Sequence, residues 1–257
     1  MSTKTDLAKE IIDKNFPTYA KKYELFYGRT KVIKINVETD EESRLAQKPK
    51  GKYITIEADF PRIPYCNFEE EVFAIASEIK RLIPKTGSVF VVGIGNPLLT
   101  ADSLGPLCTN ALLCGSFFER RLFSLAPDTN GKTAMETEKL ILAAVKEFSP
   151  AAVIIVDSLA AESFVHICKS IQVTDAGISP GSGLGEREKE LSQKTLGVPT
   201  VAIGTPTVIR YPGEKKAFVS PNDIDVTVKR AAKLIAAAID LAVFPEFGID
   251  FIKDMLI

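Results

Sequence analysis

The sequence has a single histidine, His166, and only four cysteines, none of them in a C-x-x-C pair. One histidine excludes a zinc site built on several of them. It also leaves a Ser–His–Asp triad or a cysteine nucleophile only one possible base, and no G-x-S-x-G elbow accompanies it. Flanked by Val165 and Ile167, His166 reads as structural. Cys66, Cys108, Cys114 and Cys168 read as reduced core or boundary residues of a cytosolic chain. An excess of either charge is lacking too. With 32 basic and 33 acidic residues, the net charge of −1 suits neither a nucleic-acid binder nor a membrane-surface binder. No apolar run is long enough to span a bilayer, and Met1–Lys14 shows no signal-peptide pattern, so the expected location is the cytoplasm. No internal repeat or low-complexity linker divides the 257 residues, and one domain over 1–257 is expected.

What is present centres on Val89 to Pro106. The apolar run Val89-Phe90-Val91-Val92 ends in Gly93-Ile94-Gly95, followed by a short polar loop and a helix-like segment. That pattern predicts a buried strand delivering a loop to the edge of a sheet. Ligands of open α/β sheets bind beyond the carboxyl ends of the strands, which makes Asp102 the first carboxylate of interest.

Around this stretch the spacing predicts a helix near Asp6–Asn15 and a strand over Lys31–Val37. A charged turn region over Thr39–Gly51 follows, and then a half-exposed antiparallel strand over Tyr53–Ala58. A helix capped by Asn67 carries Glu69–Glu71 at its start and Lys80 and Arg81 at its end, and Pro84 closes it. Beyond the central stretch, helices are expected at Leu104–Leu113 and Glu136–Phe148, with a short one over Leu159–Ile167. Strands are expected at Arg121–Leu125, Ala152–Val156, Ile171–Thr174 and Val198–Ile203. Ser220 as N-cap, Pro221 at the first helical position and the acid Asp223 read as the start of a last long helix with Ile224–Val243 as its body, and the apolar tail Phe244–Ile257 packs on it or on another subunit. The alternation predicts an α/β fold with a mostly parallel sheet, helices on both sides and edge strands from the first 60 residues.

Three aspartates, Asp102, Asp157 and Asp175, follow predicted strands, and in a parallel sheet such positions gather at one edge. Two carboxylates in a partly dry cleft cannot both ionise easily. One stays protonated as an acid while its partner accepts a proton from water. Asp102 with Asp157 is therefore a candidate hydrolytic pair. The competing reading makes each an ordinary helix cap ahead of Ser103 and Ser158. Gly93-Ile94-Gly95 resembles the start of a dinucleotide loop, but position 98 is Leu98 where the third glycine belongs. Gly181-Ser182-Gly183-Leu184-Gly185 lacks the G-K-[ST] ending of a phosphate loop and reads as a flexible loop or substrate rim.

Several blocks stand out: Val92–Asn96 with Thr100–Pro106, Leu125-Ala126-Pro127 with Met135-Glu136-Thr137, Val156–Ala161, Ile171–Gly183, and Thr195–Pro199 with Ala202–Val208. These blocks resemble one family, the germination proteases. Together they run in order through residues 88–208, the expected catalytic core, and Lys4–Ala8 and Gly51–Ala58 resemble the N-terminal part. The resemblance implies an atypical aspartic endopeptidase that degrades small acid-soluble spore proteins at germination. Its two essential aspartates fall on Asp102 and Asp157, and Asn96 and Asp175 sit in matched loops as site-lining candidates. It also implies a three-layer α/β/α fold like that of hydrogenase maturation proteases. No cofactor is expected. Those enzymes bind nickel through an acidic residue after the first aspartate, and Ser103 stands there, which argues against a metal. A homo-oligomer follows from the family's tetrameric zymogens, and the forespore or spore core from where they are made. The chain departs in being shorter, with the difference expected after Val208, in the few residues ahead of Thr5-Asp6-Leu7 where the family's propeptide ends, and in Ser179 at the position of a family histidine. The alternative is a relative that keeps the fold without proteolysis or with a different substrate.

Overall fold

A computed structural model describes residues 5–15, 22–58, 67–127, 136–179, 190–210 and 218–255. The N-terminal part comprises α1 (Ala8–Asn15), β1 (Lys22–Tyr27), β2 (Thr30–Val37), α2 (Asp40–Ala46) and β3 (Gly51–Glu57). Helix α3 (Phe68–Leu82) leads into β4 (Val89–Gly93), a 3-10 turn at Thr100–Asp102 and α4 (Leu104–Ala111). Next come β5 (Gly115–Phe117), β6 (Arg120–Leu125), α5 (Thr137–Phe148), β7 (Ala152–Ala161) and β8 (Ser170–Thr174). The chain continues with α6 (Gln193–Leu196), β9 (Thr200–Arg210), β10 (Phe218–Val219), α7 (Ile224–Val243) and α8 (Gly248–Met255).

Among the described residues these strands form one ten-stranded sheet in the order β1-β2-β3-β8-β9-β7-β4-β6-β5, with β10 on β9. The parallel part is its centre: β6, β4, β7 and β9 run the same way. The flanks are antiparallel, β5 on β6 at one side and β8, β3, β2 and β1 at the other.

The alternation of strand side chains builds the three layers. In β4, Val89 and Val91 face a core shared with α3, α4 and α7, while Phe90 and Val92 face Ile141 and Val145 of α5. In the flank, Ile54 and Ile56 join the first of these cores. Ile33, Ile35 and Tyr53 pack instead with Ala8 and Ile12 of α1 and Ala46 of α2. Both faces are covered, so β3 is buried at its centre and not half-exposed.

Three local expectations are corrected. Thr39–Gly51 is not a mere turn, because it contains α2. Thr39 accepts from the Glu42 backbone while the Glu42 carboxylate accepts from the Thr39 backbone, a reciprocal cap that nucleates a polar helix. Ala152–Val156 does not end at Asp157, since β7 continues to Ala161 through its pairing with β9, and no helix spans Leu159–Ile167. Helix α7 starts at Ile224 with Asp223 as its cap, because Pro221 first enters a turn in which its carbonyl accepts from Ile224. The tail folds back on its own chain, with Phe244 and Ile252 fully buried in the core that holds α7.

One buried acid on α7 sets a pH dependence. Asp240 is fully buried, and both its oxygens lie 3.2 Å from the Leu113 amide just beyond α4. Burial pushes its pKa up to about 8, against the smaller opposing effect of that amide. Below about pH 4 the acid is neutral in both the folded and unfolded chain. From there to about pH 8 the unfolded chain releases a proton that the folded protein keeps, so stability falls as pH rises. Asp240→Asn keeps an acceptor without the titration. Its thermal midpoint is expected to gain on wild type steadily between pH 5 and pH 8.5. Parallel midpoints across that range would refute this.

Candidate functional site

The sequence of the first loop dictates a tight return. After β4 the ladder continues through the Ile94 amide to the Val156 carbonyl at 2.8 Å. The Asn96 side chain then accepts from the Leu98 amide at 2.9 Å, folding the loop on itself. The 3-10 turn follows, with the Asp102 amide donating to the Leu99 carbonyl at 2.8 Å. It swings the Asp102 carboxylate back to accept from the Asn96 backbone amide at 2.8 Å. Two glycines permit this. Gly95 has φ +129, and a Cβ there would lie 2.0 Å from the Asp102 carbonyl oxygen. Gly105, in the first turn of α4, lies against the backbone of Ile94 and Val156.

Asp157 comes from the neighbouring strand. Gly93 pairs with Val156, so the end of β4 and the middle of β7 are side by side. Opposite Asp157 on β9 stands Gly204, where a Cβ would meet the Asp157 carbonyl oxygen at 2.4 Å. Asp157 is 5% exposed and its carboxylate accepts from the Ser158 amide at 2.8 Å. With no helix following it, Asp157 does not cap one.

Asp102 and Asp157 line the same cavity, of about 470 Å3, at the carboxyl end of the parallel strands. Asp6, Ser158, Thr207 and Ile224 also line it, and Leu99 stands exposed at its edge. Among the described residues no lysine, arginine or histidine lines this cavity. Burial raises the pKa of Asp102 above the ordinary carboxylate range, against the lowering effect of the Asn96 amide. A second recess of about 230 Å3 shares the lining residues Asp6, Leu159, Ile178 and Ser179 with the first and is also lined by Tyr53 and Lys48. Burial lowers the Lys48 pKa, and its ammonium donates to the carbonyls of Thr5 and Asp6 at 3.2 and 3.0 Å. Among the described residues no group of three or more His, Cys, Asp and Glu side chains is placed to hold a metal. Among them, too, no helix is long and apolar enough to cross a membrane.

The other candidates fall differently. Asn96 is 8% exposed and supports Asp102 through its backbone while its side chain closes its own loop. Asp175 does not gather with the other two aspartates. Strand β8 runs antiparallel to β9, so its end points away from the edge where β4 and β7 finish, and Asp175 accepts from the Lys52 amide of β3 at 2.6 Å. The glycine-rich stretch 181–185 lies outside the described residues, although Gly177, Ile178 and Ser179 before it line the second recess. Missed by sequence reasoning were Asp6 and the hydroxyls of Ser158 and Thr207. A signal existed for the last, because a proline inside a strand, here Pro206, marks an irregularity.

A family model described as germination protease matches residues 19–212. The germination protease of Bacillus velezensis is 40% identical over 199 residues, covering 71% of this chain and 54% of that protein. That of Bacillus subtilis is 36% identical over 200 residues, with shares of 71% and 54%. That of Clostridium acetobutylicum is 34% identical over 218 residues, with shares of 77% and 64%. The chain thus spans about half the length of the first of these relatives. Among solved structures, the [NiFe] hydrogenase maturation protease HycI from Thermococcus kodakarensis aligns with TM-score 0.41 and 18% identity, over 63% of this chain and 97% of that one. With three quarters of its length matched by the family model, the chain belongs to the germination protease family.

Proposed function

We propose that this chain is an endopeptidase that cleaves peptide bonds with a pair of aspartates, Asp102 and Asp157. The observation that carries this reading is their shared cavity at the strand ends, reached from two adjacent parallel strands. In it, one ionised carboxylate takes a proton from a water whose oxygen attacks the scissile carbonyl carbon. The other, protonated, carboxyl delivers its proton to the leaving amine as the C–N bond breaks. Burial raises the pKa of Asp102, which suits that carboxyl to hold a proton in one of the two roles. Two carboxyls that share one proton in this way titrate together, so on this reading the pH–rate profile belongs to the pair.

The substrate class we propose is the small acid-soluble spore proteins, after the family. Chains of that kind, disordered when free, enter an open cleft in extended form. The two neighbouring recesses, lined in common by Asp6, Leu159, Ile178 and Ser179, offer such a chain a path. The working protein on this reading is a homo-oligomer in the cytoplasm of the forespore or spore core. The test is incubation of the purified protein with a purified small acid-soluble spore protein, followed by mass spectrometry of the products. Discrete internal cleavages are expected. An intact substrate, together with intact unstructured control proteins, would favour the non-proteolytic reading.

A further inference from the structure

Strand β9 carries an irregularity beside the cavity. Its register against β7 pairs Leu159 with Pro206 and then Ala160 with Val208. Thr207 is the extra residue between them. A bulge of this kind leaves one residue out of the ladder and re-aims its side chain, and bulges recur next to active sites. Thr207 is fully buried, lines the cavity with Asp102 and Asp157, and its hydroxyl has no hydrogen-bond partner. A buried hydroxyl left unpaired is costly, so it calls for a partner supplied from outside the fold.

The chemistry of the cavity says what that partner is. Attack on a peptide carbonyl places negative charge on its oxygen, and that oxygen needs donors. Among the described residues the cavity has no cationic side chain, and its neutral side-chain donors are hydroxyls. Two of these hydroxyls, on Ser158 and Thr207, are buried and unpaired. Ser158 adjoins Asp157 in sequence and belongs to the regular part of the ladder, opposite Thr205. Thr207 is the one placed by an irregularity of the backbone. We propose that the Thr207 hydroxyl donates a hydrogen bond to the scissile carbonyl oxygen and strengthens it as that oxygen becomes an oxyanion. No proton is transferred from Thr207. The proton traffic stays with the two carboxyls. This assignment rests on the peptidase reading above and names a third residue of the same site.

The test compares wild type, Thr207→Val, Thr207→Ser and Ser158→Ala on one cleavable peptide, with thermal melting of each protein. Valine matches threonine in shape and lacks the hydroxyl. It is expected to lower kcat about a hundredfold or more, the usual loss of an oxyanion donor, with KM changed less than about twofold. The pH profile should keep its shape, because the carboxyls are untouched. Serine should restore most of the rate. The melting temperature of Thr207→Val should equal or exceed that of wild type, since an unpaired hydroxyl is removed. An undiminished kcat in Thr207→Val would overturn the assignment. So would a melting temperature lowered by several degrees, which would make the hydroxyl a structural group. A loss confined to Ser158→Ala would also overturn it by assigning the role to that residue. A wild type that cleaves no peptide would remove the peptidase reading itself, and this assignment with it.

Discussion

Asp102→Asn and Asp157→Asn are each expected to abolish cleavage, by about 1,000-fold or more, while the protein stays folded. Each substitution keeps the shape and the hydrogen-bond acceptor that the backbone uses. The Asn96 amide still has an oxygen to meet at position 102, and so does the Ser158 amide at position 157. What disappears is the ability to take or give a proton, and general acid–base catalysis is worth about 100- to 10,000-fold per group. Loss of either member is expected to cost nearly as much as loss of both, because neither half-reaction completes without the other. The measurement is kcat/KM of the two single variants and the double variant, with near-ultraviolet circular dichroism as the check on folding. A single variant that keeps more than about a tenth of the wild-type rate would remove that carboxylate from the mechanism. The burial of Asp102 adds a sign. A carboxyl held above its ordinary range stays protonated to higher pH, so an acid role for Asp102 extends activity above the range of a free carboxylate.

Gly105→Ala is expected to be strongly destabilising. A methyl group at that position would lie 2.3 Å from the Ile94 carbonyl oxygen, 2.5 Å from the Ile94 amide nitrogen and 2.6 Å from the Val156 carbonyl oxygen. All three are backbone atoms of β4's extension and of β7, so no flexible side chain can yield. Gly93 is equally close, and a Cβ there would be 2.2 Å from the Gly105 carbonyl oxygen. The first turn of α4 therefore rests directly on the strand ends. Overpacking at such a place costs about 3 kcal/mol. Urea unfolding should show it as a lower midpoint with an unchanged slope. Activity should fall further than stability, because Asp102 sits one turn ahead of Gly105 and moves with it. A variant within about 0.5 kcal/mol of wild type, as for an ordinary surface change, would show that helix and strand part readily.

How much of this was legible in the sequence follows from what each segment's chemistry depends on. Strand β4 was readable because Val89–Val92 is apolar on both faces and Gly93 ends it, a local signature of a central parallel strand. That made the position of Asp102 readable too. Asp157 was chosen for a reason only half right. It borders the same cavity, but from within a strand that runs on. Ser158-Leu159-Ala160-Ala161 has helix-forming composition, and pairing with β9 overrides it. The direction of β8 is not a local property of Ser170–Thr174 at all. It is set by its neighbours β3 and β9, and the error over Asp175 follows from that alone. Helix α2 was hidden by its polarity, although Thr39 and Glu42 carry the spacing of a reciprocal cap. The bulge at Thr207 had only Pro206 to announce it.

The place of β3 in the sheet has a consequence for how the protein is made. Its antiparallel partner β2 is the preceding strand, joined to it through α2, but on its other side β3 pairs with β8, as Ile56 against Ile171. On the ribosome the first three strands emerge while β8 has yet to be synthesised. Through that interval β3 offers an unpaired row of amides and carbonyls flanked by Ile54 and Ile56, an open edge that another chain could extend. Closing it waits on a contact between distant parts of the chain, the kind that forms late and slowly. The flank that is translated first is thus finished near the end of folding. Until then the nascent chain carries a sticky margin of the sort that chaperones cover.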